Sequence, residues 1–437
     1  MKQEGATVVK ITRVSATTHR LPVKVPLLDK PINREIVFVR VETDEGRTGY
    51  GIAGPILRFA TREFINTELG PFVVGMDPLA TERIWDQAYW QFNQRSLSGV
   101  VMNGMAALDI ALWDLKGKIL GQPVWRLLGG HAATVPAYIT FGLLEYSKDQ
   151  LVEVARTLVG QGHDKLKLVV AINDAQDPAE DAARMAVVRE AVGPGVQLMM
   201  DANHLFTPLN ALELCRRCED LDITWFEEPL RGNDSRSLAE LRTKTKIPIA
   251  AGQNEGHRWR HRELITAGAV DIVQPNVVYC GGYTEAVKVA HLAQAFNLPI
   301  ANGGGWPHHN AHLIAAVPNG WRVEFHIPMW YTGNTFFHDA PQPVKGTVTL
   351  SDRPGLGMEP NEQTLKEYQE AQPSVCGANF HCQNESASCK VKAGSKPPPT
   401  RSGMRTRDSR AASTSGTEIR TRQGNTAVHA AYTQATE

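Results

Sequence analysis

Through the middle of the chain, short apolar runs alternate with stretches whose apolar residues recur at helical spacing. The runs fall at 135–141, 165–170, 196–201, 223–227, 247–252, 270–275, 299–302 and 322–326. Each has the length and composition of a strand buried on both faces. Between most of them lie amphipathic segments such as 149–160 and 283–295. Strands alternating with helices in this number predict an α/β fold, a closed (β/α)8 TIM-like barrel rather than an open sheet. The span is short for a complete barrel, so the last helix is expected to give way to the C-terminal return.

Ahead of the barrel the pattern is α+β. Residues 8–17 and 36–43 alternate like antiparallel strands, and Asp44-Glu45-Gly46 supplies a hairpin turn. A helix is predicted over 104–120, stopped by Gly121-Gln122-Pro123. Residues 344–369 return to strand and turn character. After Pro373 the chain is rich in Ser, Thr, Arg, Gly and Ala and nearly free of large aliphatics. Such a segment cannot bury enough apolar surface to offset its ordering entropy, and reads as disordered. The expected organisation is a capping domain over 1–134, a (β/α)7β-type catalytic barrel over 135–343, a return over 344–372 and a tail over 373–437.

Charge narrows the function classes. Lys plus Arg (46) equals Asp plus Glu (46), so nothing in the total points to nucleic acid or to a membrane surface. No apolar stretch approaches the roughly 20 residues that span a bilayer. Residues 1–5 lead into no apolar signal core, so the expected compartment is the cytoplasm. Cys215 and Cys218 form a C-x-x-C within a helical pattern and lack the second pair of a zinc site. Cys376, Cys382, Cys389 and the sequon Asn384-Glu385-Ser386 sit in the tail and read as incidental.

The candidate chemistry lies where the strands end. The runs close on Lys165-Leu166-Lys167, on Asp201-Ala202-Asn203, on Glu227-Glu228-Pro229 and on Gln253-Asn254-Glu255. The interval from Asp201 to Glu227 equals that from Glu227 to Gln253, about one βα unit. In such barrels the catalytic groups sit at the C-terminal ends of the strands. Alternate residues share a strand face, so Lys165 and Lys167 are both expected in the barrel mouth. Two desolvated ammoniums that close would lower each other's pKa and make a general base. A lone K-x-K is more often a pair of solvated lysines. Asp201 and Glu227 would repel unless a hard cation with oxygen ligands sat between them. Such a cation also holds a substrate carboxylate and steadies an enediolate.

These features together resemble the enolase superfamily, most of all its mandelate racemase and acid-sugar dehydratase branch. The likeness covers about residues 8–370. It rests on Ala107-Leu108-Asp109-Ile110-Ala111-Leu112-Trp113-Asp114 with Gly117-Lys118, the K-x-K, Asp201 with Asn203, Glu227-Glu228-Pro229, Cys280-Gly281-Gly282 and Pro354-Gly355-Leu356-Gly357. The resemblance implies an α+β cap, a modified barrel lacking its last full helix, one Mg2+ per subunit, and a base that removes the proton α to a carboxylate. It also implies a homo-oligomer. Glu324, ending the eighth run, is expected to hydrogen-bond the substrate carboxylate. The chain departs from the pattern in two places besides the tail. Gln253 stands where an acidic third ligand is usual, and Glu255, two residues on, is an equal candidate. The sixth and seventh strands end in Gln274-Pro275-Asn276 and Asn302-Gly303-Gly304-Gly305, with neither the Lys nor the Asp–His pair of two-faced relatives. His308, His309 and Tyr279 are the remaining candidates for the opposite face, since histidine titrates near neutrality.

A small anionic substrate follows from the basic loops that would cap the mouth, with Lys24, Lys30 and Arg34 in one and Arg58 in the next. Asn203, Asn276, Lys24 and Tyr279 are the candidate substrate contacts. A site with one base favours elimination over racemisation, so the leading expectation is a Mg2+-dependent dehydratase of a small hydroxy acid, an acid sugar or a hydroxylated amino acid. An epimerase, racemase or lactone cycloisomerase is the alternative. A non-catalytic binding protein on the same scaffold is the third, motivated by Gln253.

Overall fold

The structure is a computed structural model, and it describes residues 9–92 and 98–371. The tail, with its three cysteines and sequon, lies outside the described residues. Three antiparallel strands open the chain, β1 (Ile11–Val23), β2 (Ile32–Thr43) and β3 (Thr48–Ala53), in the order β1-β2-β3. The first runs further than its alternation suggested. Asp44-Glu45-Gly46 turns β2 into β3, with Gly46 at φ 71, where a side chain would be strained. Helix Val100–Leu120 crosses this sheet and ends at Gly121, whose left-handed φ of 66 makes the stop. It lies so close to β3 that a Cβ on Gly51 would overlap the Ala107 carbonyl. The buried seam is Val37, Val39 and Val41 against Met105, Leu108 and Leu112.

Asp109 and Asp114, from the motif carrying the resemblance, act as stitches in the fold. Asp109 accepts from the Thr284 amide (2.9 Å) and hydroxyl (2.5 Å) at the start of helix Tyr283–Ala295. Asp114 accepts from the Tyr50 amide (3.0 Å) and the Leu356 amide (2.8 Å), joining cap sheet to C-terminal return.

The barrel strands are β4 (Thr134–Gly142), β5 (Lys165–Val169), β6 (Gln197–Asp201), β7 (Ile223–Glu227), β8 (Ile249–Ala251), β9 (Ile272–Val273), β10 (Ile300–Ala301) and β11 (Gly320–His326). All eight pair in parallel in chain order, and β11 closes on β4. Each falls where the apolar runs placed it. Tyr138, Met199, Trp225, Ala250, Ile272 and Ala301 fill the lumen beneath the mouth, so the barrel is a packed core and not a pore.

Outside the strands run the helices. Lys148–Gly160 begins on a Ser147/Gln150 capping box. Cys215 and Cys218 are buried and free, consistent with a packing role.

One expectation is corrected. A ten-residue helix, Ile327–Phe336, does follow the eighth strand. Phe336 at its end packs against His19 of the cap, and Phe337 just beyond it against Phe38, so this helix is spent joining the two layers. The return then adds β12 (Phe337–His338), β13 (Pro343–Val344), β14 (Thr347–Thr349), antiparallel to β4, and β15 (Glu359–Pro360). A short helix, Glu362–Glu367, stands where only strand and turn were expected. Arg58 of the cap grips Glu370 at 2.7 and 2.9 Å. No described helix is long and apolar enough to cross a membrane.

Candidate active site

Register sets the level of each side chain at the mouth. Val169, Asp201 and Glu227 stand side by side on β5, β6 and β7. Lys167 pairs with Met199, one inward layer deeper. Its ammonium nonetheless reaches up to three carboxylates, 2.9 Å from Asp201 Oδ2, 2.6 Å from Glu227 Oε2 and 2.8 Å from Glu324 Oε1. All four groups are at most 4% exposed. Burial alone would lower the Lys167 pKa, but the three carboxylates outweigh it and hold the pKa well above the usual lysine value. Glu227 is pushed well up by burial and by Asp201, with Lys167 opposing. Trp225, two residues before Glu227 on the same face, donates to Glu227 Oε2 at 3.1 Å. Glu324 also accepts from Thr140 Oγ1 and from the Gly305 amide, both at 2.5 Å. The Asn203 amide donates to Asp201 Oδ1 at 3.0 Å, while the Asn203 side chain is exposed.

Oxygens fit for a cation converge beside these groups. Asp201, Glu227 and Glu324 each place a carboxylate oxygen within 4.8 Å of the others. Glu227 Oε1 and Gln253 Oε1 are both buried without a hydrogen-bond partner. Both face Gly303. A Cβ built there would lie 2.6 Å from Gln253 Oε1, 3.0 Å from Gln274 Nε2 and closer still to Glu227 Oε1. Buried acceptors are rarely left orphaned, and two aimed at one spot fit a hard cation with oxygen ligands. Glu255 points elsewhere, bound by Arg260 Nε (3.0 Å) and Asn233 Nδ2 (3.1 Å). Of the two candidates for the third ligand, Gln253 is the one at the cluster.

Several expected site residues lie apart from it. Lys165 shares the inner face with Lys167 but starts the strand, two residues deeper, and its ammonium is 2.5 Å from Asp164. A period of two sets the face and not the height. His308 and His309 are buried in helix Pro307–Ala316, with rings edge-on to Phe325 and Phe337. Burial lowers the His308 pKa to about 4 and that of His309 well below its usual value, and what sets both apart is their place inside a helix among aromatic rings. Asn276 braces the strand-seven loop, donating to the Gly303 carbonyl (2.7 Å) and accepting from the Val278 amide (3.0 Å). Lys24 is exposed beyond β1. Tyr279 does sit at the seam of cap and barrel. Its hydroxyl accepts from Trp306 Nε1 at 3.0 Å, and its ring abuts Gly54.

Four residues at the mouth were not marked as site residues by the sequence pattern. His326 shares the inner face of β11 with Glu324, and its Nδ1 is buried and unpartnered. Burial, then Arg34 and Lys167, lower its pKa to about 3. Arg34 comes down from the cap with its Nε buried and unpartnered, electrostatically coupled to Tyr279 and His326. Gln274 is fully buried with both amide atoms unpartnered. Glu228, buried behind Glu227, accepts from Gln253 Nε2 at 2.7 Å. The i, i+2 spacing of His326 from Glu324 was a signal that could have found the first.

The chain belongs to the mandelate racemase/muconate lactonizing enzyme family of the enolase superfamily. Residues 7–129 match the family's N-terminal domain, and residues 150–364 match the enolase C-terminal domain-like model. Among curated relatives, an arabinonate dehydratase of Saccharolobus solfataricus is 32% identical over 76% of this chain and 90% of its own. A D-galactarolactone cycloisomerase of Agrobacterium fabrum is also 32% identical, over 84% of this chain and 100% of its own. Among solved structures, the L-talarate/galactarate dehydratase of Salmonella typhimurium LT2, liganded with Mg and L-lyxarohydroxamate, superposes with a TM-score of 0.77. It is 28% identical over 85% of this chain and 95% of its own.

Proposed function

We propose that the protein is a Mg2+-dependent lyase that removes the proton α to a carboxylate and eliminates water from a small hydroxy acid of the acid-sugar class. The observation that carries this reading is the buried cluster of Lys167 with Asp201, Glu227 and Glu324, flanked by the orphaned oxygens of Glu227 and Gln253. The names of its relatives support it, with several acid-sugar dehydratases among them.

Asp201, Glu227 and Gln253 would hold the Mg2+, which supplies Lewis-acid stabilisation of the substrate carboxylate as its α-carbon loses a proton. Lys167, held as an ammonium, adds a fixed positive charge where the enediolate charge develops. Lys167 therefore acts as an electrostatic group, with Glu324 anchoring it from the far side. Val169 offers no proton chemistry at the level of Asp201. The proton acceptor is His326, which shares the inner face of β11 with Glu324 and keeps an unpartnered Nδ1, and Tyr279 attends the leaving β-hydroxyl. Loss of the α-proton and the β-hydroxide leaves an enol, which ketonises to a 2-keto-3-deoxy acid.

Arg34 meets the anionic or polar far end of the substrate. By resemblance to its family the protein is a cytoplasmic homo-oligomer. A panel of aldonic and aldaric acids with Mg2+, read by semicarbazide trapping of 2-keto acids, tests the reading. Product from at least one acid that His326→Asn abolishes is expected. Product formation that survives that substitution would remove His326 from the mechanism, and no product from any acid would sink the lyase. The isomerase reading is favoured by the cycloisomerase and racemase relatives and needs the same enolate. It would show as an isomer without keto acid.

A further inference from the structure

We propose that Glu228 is a positioning residue that makes Gln253 a cation ligand, so that a carboxylate–amide pair does the work of one acidic ligand. This rests on reading the strand-end cluster as a cation site. Glu227 is the last residue of β7, and Glu228 follows it in the bend that leaves the strand. Glu227 meets Lys167 and Trp225, and Glu228 meets side chains from the loops that follow β6, β7 and β8.

Glu228 is fully buried and held at φ 40, a conformation that non-glycine residues rarely take. Such strain persists where surrounding contacts fix it. The contacts are Gln253 Nε2 (2.7 Å), Asn254 Nδ2 (2.8 Å) and His204 Nε2 (2.6 Å) on Oε2, and Asn233 Nδ2 (3.0 Å) on Oε1.

An amide carries hydrogens on nitrogen and lone pairs on oxygen. With its nitrogen on Glu228, Gln253 must turn its oxygen the other way, toward Glu227 Oε1 and Gly303. The flipped amide would set oxygen against oxygen at 2.7 Å. Asn233 also donates to Glu255, so the neighbouring acid braces the network instead of joining the cluster. Without Glu228, nothing among the described contacts would choose which atom of Gln253 meets the cation.

The test is calorimetric titration of the full chain with Mg2+, and of Mn2+ followed by its EPR signal. The proteins are wild type, Glu228→Gln, Gln253→Met and the doubles E228Q/Q253M and E228Q/Q253E. Outer partners of ligands typically contribute about 10–100-fold in metal affinity, and E228Q is expected to lose that much. In the Q253M background, E228Q should cost nothing further, because Glu228 acts through Gln253. In E228Q/Q253E the donor and acceptor exchange places, so binding should return at least to the wild-type level. A purely structural role for Glu228 would leave E228Q/Q253E as weak as E228Q and would make E228Q/Q253M weaker than Q253M. Binding by E228Q within about twofold of wild type overturns the inference alone. Absence of Mg2+ binding by wild type overturns the cation reading and this inference with it.

Discussion

Replacing Lys167 by methionine removes the one positive charge that, among the described residues, touches three buried carboxylates. In metal-free buffer the cluster of Asp201, Glu227 and Glu324 would then repel itself with no counter-charge. Contacts of 2.6 to 2.9 Å carry a gross attraction of about 6 kcal/mol each at an effective dielectric near 20. Desolvation cancels much of that, and breaking a buried pair typically costs about 3–5 kcal/mol. Spread over a unit of roughly 360 residues at about 2.1 cal/mol/K per residue, the loss lowers Tm by about 4–7 °C. The deficit should depend on pH. Glu227 is already pushed up by burial and by Asp201, and without the opposing Lys167 it is pushed further above its unfolded value, so the folded form takes up a proton as pH falls. Stability is then recovered on acidification and lost as pH rises, and the Tm gap should be widest near pH 8 and shrink toward pH 5. Differential scanning calorimetry with EDTA reads the gap, and added Mg2+ should raise the variant's Tm more than that of wild type. A variant within about 1 °C of wild type at pH 8 with EDTA would refute the role given to Lys167.

Other perturbations separate the site from its surroundings. Gly303→Ala puts a methyl against Glu227 Oε1 and Gln253 Oε1, and Mg2+ affinity by calorimetry should fall by at least about tenfold. Lys165→Ala should leave kcat/KM within about threefold of wild type, since its ammonium is engaged with Asp164 away from the mouth, whereas K167M should cost about a thousandfold or more. His308 is held neutral to about pH 4 against 6.5 unfolded, so the stability its burial confers is present above pH 6.5 and lost as pH falls toward 4. In urea melts His308→Gln should lose about 2 kcal/mol less than wild type between pH 7 and pH 5. An unchanged slope would contradict that burial.

Much of this architecture was legible before the structure. The eight apolar runs became the eight barrel strands because strands buried on both faces leave continuous apolar signals. Asp201 and Glu227 were legible because carboxylates one βα unit apart, each closing an apolar run, fall together at a barrel mouth. Height along a strand was not legible. Period two put Lys165 on the right face, and only the register with β6 showed that Lys167 lies beneath Asp201 and Lys165 deeper still. His308 and His309 looked like loop residues after a Gly-rich run, but Trp306-Pro307 starts a buried helix there. Glu255 and Gln253 could not be told apart by spacing, because the choice was made by Asn233 and Arg260, which come from different elements. Arg34 and His326 meet only through tertiary packing of cap on barrel, which no local pattern carries.

The most direct test is proton NMR of the enzyme with Mg2+ and its best acid-sugar substrate in D2O. Elimination with protonation of the resulting enol by solvent should give a 2-keto-3-deoxy acid carrying deuterium at C3, with no product formed by K167M or H326N. Recovered substrate that is deuterated at C2 and epimerised, without keto acid, would contradict the dehydratase and place the protein among the isomerases of its family.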